Sequence, residues 1–140
     1  QDPGNAGTIL RTGEGAGVSG VLLTKTCVVI TNPKVIRSPM GSVYRMPFLY
    51  VESVGSLAQE LKDRNIRTFA AHLHGKNSYD QESYTGGTAF LIGNEGKGLT
   101  DEAADSADCL IRIPMCGKVE SLNAAMASGI LMYEAARQRR

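Results

Sequence analysis

Long apolar runs are missing from this sequence. No stretch approaches the ~18 apolar residues of a membrane-spanning helix, because Gly, Thr, Asn or a charge interrupts each one, so no membrane span is expected. Paired cysteines are missing too. Cys27, Cys109 and Cys116 are an odd number with no CxxC pair. A disulfide framework or structural zinc site is therefore not expected, and a reducing cytoplasm fits best. Charge of one sign is nearly balanced, with 15 Lys and Arg against 14 Asp and Glu for a net +1. That excludes a strongly basic module holding nucleic acid by charge alone, and leaves room for a local basic patch. The opening Gln1-Asp2-Pro3-Gly4 has neither a basic start nor an apolar h-region, so no secretory signal is expected.

What is present fits one α/β domain over residues 1–140, of 14.9 kDa. Apolar residues make up 42% and charged residues 21%, an ordinary globular balance. Sixteen glycines exceed the average usage of about 7%. Asp2-Pro3-Gly4-Asn5 reads as a turn with Asn5 as N-cap, and Ala6, Ile9, Leu10 and Gly13 recur at helical spacing, so Arg11 falls one to two turns into a helix. Gly15-Ala16-Gly17 ends it, and Gly20–Leu23 reads as a buried strand. Asn32-Pro33 opens a short helix through Arg37. Ser53 or Ser56 opens another, with Val54, Leu57, Ala58 and Leu61 on one face. Strands are expected at Thr68–Leu73, Thr88–Ile92 and Cys109–Ile113, and Thr100 caps a short helix between the last two. Gly75 to Gly87 reads as a polar surface loop. A long helix from Ser121 to Arg140 presents Leu122, Ala125, Met126, Gly129, Ile130, Tyr133 and Ala136 as one buried face. Apolar strands alternating with helices imply a mainly parallel sheet with helices on both faces.

Several segments are candidates for chemistry. Gly15–Gly20 matches GxGxxG, but follows a helix and opens a strand, the reverse of a dinucleotide fingerprint. A nucleotide-dependent oxidoreductase rests on that match alone. Gly93-Asn94-Glu95-Gly96-Lys97-Gly98 fails the Walker A pattern, because Leu91 stands where its first glycine belongs and Gly98 where Ser or Thr belongs. Three glycines just past a strand still allow close approach of a ligand to backbone. Pro114-Met115-Cys116-Gly117 follows the next strand, so two neighbouring strand ends are expected to form one crevice. His72 and His74 fall on one face of a strand, but no third ligand completes a metal set. Arg11, Arg37, Arg45, Lys97 and Lys118 lie in or beside these loops and would form an anion site if they converge.

Three segments together resemble one family. Asp2-Pro3-Gly4-Asn5-Ala6-Gly7-Thr8-Ile9-Leu10-Arg11-Thr12 resembles its first motif. Phe90 through Leu99 (FLIGNEGKGL) resembles the second. Ile113-Pro114-Met115, with Glu120-Ser121-Leu122-Asn123-Ala124-Ala125 and on to Ile130-Leu131, resembles the third. The family is the SpoU (TrmH-like) family of RNA 2′-O-ribose methyltransferases, in the SPOUT superfamily. Asn32-Pro33-Lys34 through Arg37-Ser38 and Met40-Gly41 is similar to the connecting segment of its ribosomal-RNA members.

The resemblance implies a C-terminal deep trefoil knot, S-adenosylmethionine as methyl donor, no metal, RNA rather than DNA as substrate, and a homodimer. Ribosomal RNA is the favoured substrate, with transfer RNA the nearest variant. By motif match Gly93, Ile113 and Leu122 contact the cofactor, with Ile92 and Met115 beside them. Arg11 is the implied catalytic residue, with Asn5, Glu95, Ser121 and Asn123 forming the site, and Arg11, Arg37, Arg45 and Lys97 facing RNA. A base methyltransferase of the same superfamily and a non-catalytic RNA-binding module are the competing readings; the SpoU-type Asn5 and Arg11 oppose the first, and the motif residues together oppose the second. The family usually has a strand directly before Asp-Pro-Gly-Asn, and its ribosomal-RNA members often carry a small N-terminal RNA-binding domain. The sequence is therefore expected to be a piece of a longer protein.

Overall fold

The computed structural model describes residues 3–24, 45–51, 55–93 and 99–140. The expected helix after Pro33, and with it Arg37, Glu95, Lys97 and Cys27, lies outside the described residues.

The chain begins with α1 (Pro3–Ala16). Pro3 suits the first turn of a helix, where its missing N–H is not needed. Asn5 is therefore inside the helix and does not cap it, a correction to the sequence reading. Gly17 ends α1 at φ +79°, a left-handed conformation that glycine adopts without steric cost. Val18 N then donates to Gly13 O at 2.9 Å, turning the chain into β1 (Val21–Thr24). β1 pairs in parallel with β2 (Phe48–Val51), Leu22 opposite Leu49. Both leucines are exposed, Leu22 by 48%, while Leu23 is buried, so this strand is covered on one face and not on both as expected.

A 3-10 turn at Gly55–Leu57 leads into α2 (Ala58–Asp63). The expected helix is thus shorter, and its face packs without a fully buried residue. Four strands follow: β3 (Arg67–Ala71), β4 (Asn77–Ser78), β5 (Thr88–Leu91) and β6 (Cys109–Arg112). They form a parallel sheet in the order β4-β6-β3-β5, separate from the β1-β2 pair among the described residues. α3 (Asp101–Ser106) lies between β5 and β6. Thr100 caps it as expected, its hydroxyl accepting from Ala103 N at 3.1 Å.

The chain closes with α4 (Ala124–Arg139). Asn123 caps it, Oδ1 accepting from Ala125 N at 2.8 Å and Met126 N at 3.3 Å, so Ser121 and Leu122 precede the helix. Its buried residues are Ala125, Ser128, Leu131 and Met132. Of the expected stripe Ala125 is buried and Gly129, Ile130 and Ala136 are half-buried, but Leu122, Met126 and Tyr133 are exposed, Met126 by 63% and Tyr133 by 52%. Ser128 tolerates burial because its hydroxyl donates to Ala124 O at 2.8 Å. α4 packs on α1 through small residues. A methyl group at Gly13 would lie 3.6 Å from Met132 Sδ, and one at Gly129 3.5 Å from Thr12 Cγ2.

Two cores result. Leu10, Leu23 and Met46 join α1 to the β1-β2 pair. Phe69, Tyr84, Ile111 and Leu131 join the four-stranded sheet to α4. Tyr84 corrects the reading of residues 75–87 as a polar surface loop. It is fully buried, edge-on to Phe69 at 4.9 Å and Phe90 at 5.0 Å between ring centres. Its hydroxyl donates to Tyr79 O, and its N–H to Gln138 Oε1 of α4 at 2.7 Å. Arg139 Nε donates to Tyr84 O at 2.8 Å, so the end of α4 grips this segment by its main chain.

Candidate active site

Because every ladder of the larger sheet is parallel, β3, β5 and β6 end on one edge. That edge is where open α/β sheets bind ligands. Ile92 and Gly93 leave β5 there, and Ile113, Pro114 and Met115 leave β6. The two ends are not neighbours, contrary to the sequence reading. β3 runs between them and separates them by about 10 Å, two strand spacings. Ile92, Gly93, Ile113 and Met115 are half-buried, while Leu122 keeps 36% of its surface open. Apolar side chains beside freshly ended strands fit a flat, partly apolar ligand such as an adenosine, whose polar edges main-chain groups can meet.

The turn after β3 packs against the end of β6 and leads across it to β4. His72 and His74 sit in this turn rather than on the strand, since β3 stops at Ala71. His74 N donates to His72 Nδ1 at 3.1 Å, and His72 N to Ile111 O at 2.9 Å. Arg112 Nη1 donates to Gly75 O and Lys76 O at 2.9 and 2.8 Å. A side chain at Gly75 would lie 2.4 Å from the Ile111 carbonyl carbon, so this position requires glycine for close approach. Sequence reasoning placed neither the turn nor Arg112 at this edge, because strand order is not a local signal. Among the described residues no group of three or more His, Cys, Asp or Glu could hold a metal ion.

The first and third motifs meet. Asn123 Nδ2 donates to Asn5 Oδ1 at 3.2 Å, across 118 positions of sequence. One asparagine thus caps α4 with its oxygen and reaches α1 with its nitrogen. Ser121 is exposed two residues before it. Arg11 is exposed further along α1. Arg45 is also exposed but ion-paired, with Nε 2.8 Å from Glu14 Oε1. Lys118 is exposed in the loop before α4.

The chain is similar to proteins of one family over nearly its whole length. The model of the SpoU rRNA Methylase family matches residues 1–133. An uncharacterized tRNA/rRNA methyltransferase of Synechocystis sp. is 37% identical over 138 residues, covering 99% of this chain and 50% of that protein. The crystal structure of the SpoU methyltransferase AviRb from Streptomyces viridochromogenes, in complex with the cofactor AdoMet, matches with a TM-score of 0.91 and 33% identity, over 99% of this chain and 56% of that one. A crystal structure of an RNA 2′-O ribose methyltransferase matches with a TM-score of 0.89 and 31% identity, over 99% and 53%. The chain spans about half the length of these relatives. With the family model covering nearly all of it, the chain belongs to the SpoU rRNA methylase family.

Proposed function

We propose that this chain is the catalytic part of an S-adenosylmethionine-dependent RNA methyltransferase acting on a ribose 2′-hydroxyl, of ribosomal RNA before transfer RNA. The observation that carries this reading is the Asn123–Asn5 hydrogen bond, which joins the first and third motifs beside the helix that bears Arg11. Ile92, Gly93, Ile113, Met115 and Leu122 would hold the cofactor at the sheet edge. The bound cofactor supplies a methyl group on a cationic sulfur with a neutral thioether as leaving group. The protein's task is then alignment, exclusion of water and disposal of one proton.

Arg11 is unsuited to taking that proton, because a guanidinium stays protonated. Its role in this reading is to hold an RNA phosphate and stabilise charge growing on the 2′-oxygen, while a phosphate oxygen of the RNA accepts the proton. Asn5, Ser121 and Asn123 line the pocket, and Glu95 organises the glycine-rich loop after β5. Arg37, Arg45 and Lys97 face the RNA backbone. The exposed Met126 and Tyr133 of α4 are assigned to a second copy of the chain, making a homodimer. A C-terminal trefoil knot and a cytoplasmic setting belong to the same proposal.

The test is transfer of radiolabelled methyl from S-adenosylmethionine to deproteinised ribosomal RNA, followed by alkaline digestion. A 2′-O-methyl group blocks cleavage and leaves the label in dinucleotides. Label in mononucleotides would identify base methylation and overturn the reading.

A further inference from the structure

Glu14 has no place in the scheme above, yet it pairs with one of its arginines, Arg45, and lies about one helical turn from another, Arg11. Arg11 and Glu14 are three residues apart on α1, so their Cβ atoms are about 5–6 Å apart on one face. Arg45 arrives from a different segment, and its backbone is fixed there. Met46 beside it is 4% exposed and packs with Leu10 and Leu23, while Val21 N donates to Pro47 O at 3.0 Å. The Arg45 side chain is 60% exposed, but Glu14 takes its Nε at 2.8 Å. Among the described residues this is its one side-chain contact, so the Nη1–Nη2 edge is open. That edge is the fork that grips a phosphate with two parallel hydrogen bonds.

We infer that Glu14 is a positioning residue: it holds Arg45 by Nε so that its fork, with Arg11 alongside, forms a two-arginine clamp for a phosphodiester of the RNA substrate. The clamp keeps a net positive charge, two guanidinium groups against one carboxylate. The inference rests on the reading that the chain acts on RNA. It adds a residue and a geometry to that reading, and charge alone would give the opposite sign. A carboxylate next to phosphate repels it, so a purely electrostatic Glu14 weakens RNA binding, and its removal strengthens it. A positioning Glu14 strengthens binding, and its removal weakens it.

The experiment is filter binding of this chain to deproteinised ribosomal RNA across a salt series, with S-adenosylhomocysteine affinity by calorimetry on the same samples. Glu14→Ala is expected to weaken RNA binding about threefold, and Arg45→Ala about fivefold with the log–log salt slope reduced by about 0.7–0.9, one phosphate contact. The double variant is expected to bind no worse than Arg45→Ala alone. Glu14→Gln keeps an oxygen for Nε and is expected to bind as tightly as the parent or tighter. Equal gains from Glu14→Ala and Glu14→Gln, or additive effects in the double variant, overturn the clamp. Failure of the parent chain to bind the RNA, with the cofactor still bound, overturns the RNA reading as well.

Discussion

Asn123 Nδ2 lies 3.2 Å from Asn5 Oδ1, while Asn123 Oδ1 accepts the first free amides of α4. One side chain therefore stabilises a helix terminus and fixes the position of α1 against it. The two roles use different atoms and can be separated. Asn123→Asp keeps the capping oxygen but loses the donor to Asn5, whereas Asn123→Ala loses both. In urea denaturation, Asn123→Ala is expected to cost about 1 kcal/mol, the usual value of an N-cap. Asn123→Asp should stay within about 0.5 kcal/mol of the parent and still lose methyl transfer. Equal stability loss in both would show that the cap is not the stabilising contact.

Tyr84 gives a prediction at high pH. Burial, aided by the nearby Glu82 carboxylate, pushes its phenol well above the usual tyrosine range. The unfolded chain loses this proton first, near pH ~10, so the folded state is penalised as pH rises beyond that point. The parent should lose stability from about pH 10 upward, and Tyr84→Phe should flatten that limb. Tyr84→Phe should also cost about 1 kcal/mol at pH 7, for the lost bond to Tyr79 O. Urea midpoints between pH 8 and pH 11 (about the range in which a free phenol titrates) decide the matter.

Glu134 controls the acid limb. Hydrogen bonds from Arg137, at 2.8 Å to each carboxylate oxygen, and from Gln138 hold its carboxyl down to about 2. A depressed folded value means that its stabilisation is present above the unfolded carboxyl value of about 4.3 and is lost as pH falls toward 2. Glu134→Gln should therefore be less stable than the parent at neutral pH and converge with it in that window. Parallel curves down to the same acidity would remove Glu134 from the account.

The turn after β3 is tested with two glycines. A Cβ at Gly75 would meet the Ile111 and Arg112 main chain at 2.4 to 2.8 Å, and backbone cannot move aside cheaply. Gly75→Ala is expected to cost about 1–3 kcal/mol, the range of overpacked sites. Gly86 has open space around its Cβ position, so Gly86→Ala should be nearly neutral by thermal melting.

Local signals in the sequence carried much of this fold. The apolar runs 21–24, 88–91 and 109–112 are strands, and Thr100 caps as its hydroxyl chemistry requires. Longer-range features were not legible. Tyr84 sits in a polar stretch, but its ring is buried with Phe69, Phe90, Ile111 and Leu131, while Gln138 and Arg139, more than fifty positions away, hold its main chain. The placement of β3 between β5 and β6 is a property of strand order, which no window of residues encodes. The apolar stripe of α4 has helical spacing, but only its Gly129 edge, with Met132 beside it, is seen against α1, and Met126 and Tyr133 stay exposed. Of the site, the meeting of Asn5 and Asn123 followed from the family motifs and not from periodicity, while the Glu14–Arg45 pair appeared only in the structure.

Gly93 and Ile113 at the sheet edge, with Leu122 of the third motif, are the proposed cofactor site. Calorimetric titration of the chain with S-adenosylhomocysteine, repeated with Leu122→Trp, tests it most directly. Saturable binding near one site per chain is expected in the parent, and its loss in the variant, whose indole would crowd the pocket. Unchanged affinity in a folded Leu122→Trp variant would contradict the assignment of the site.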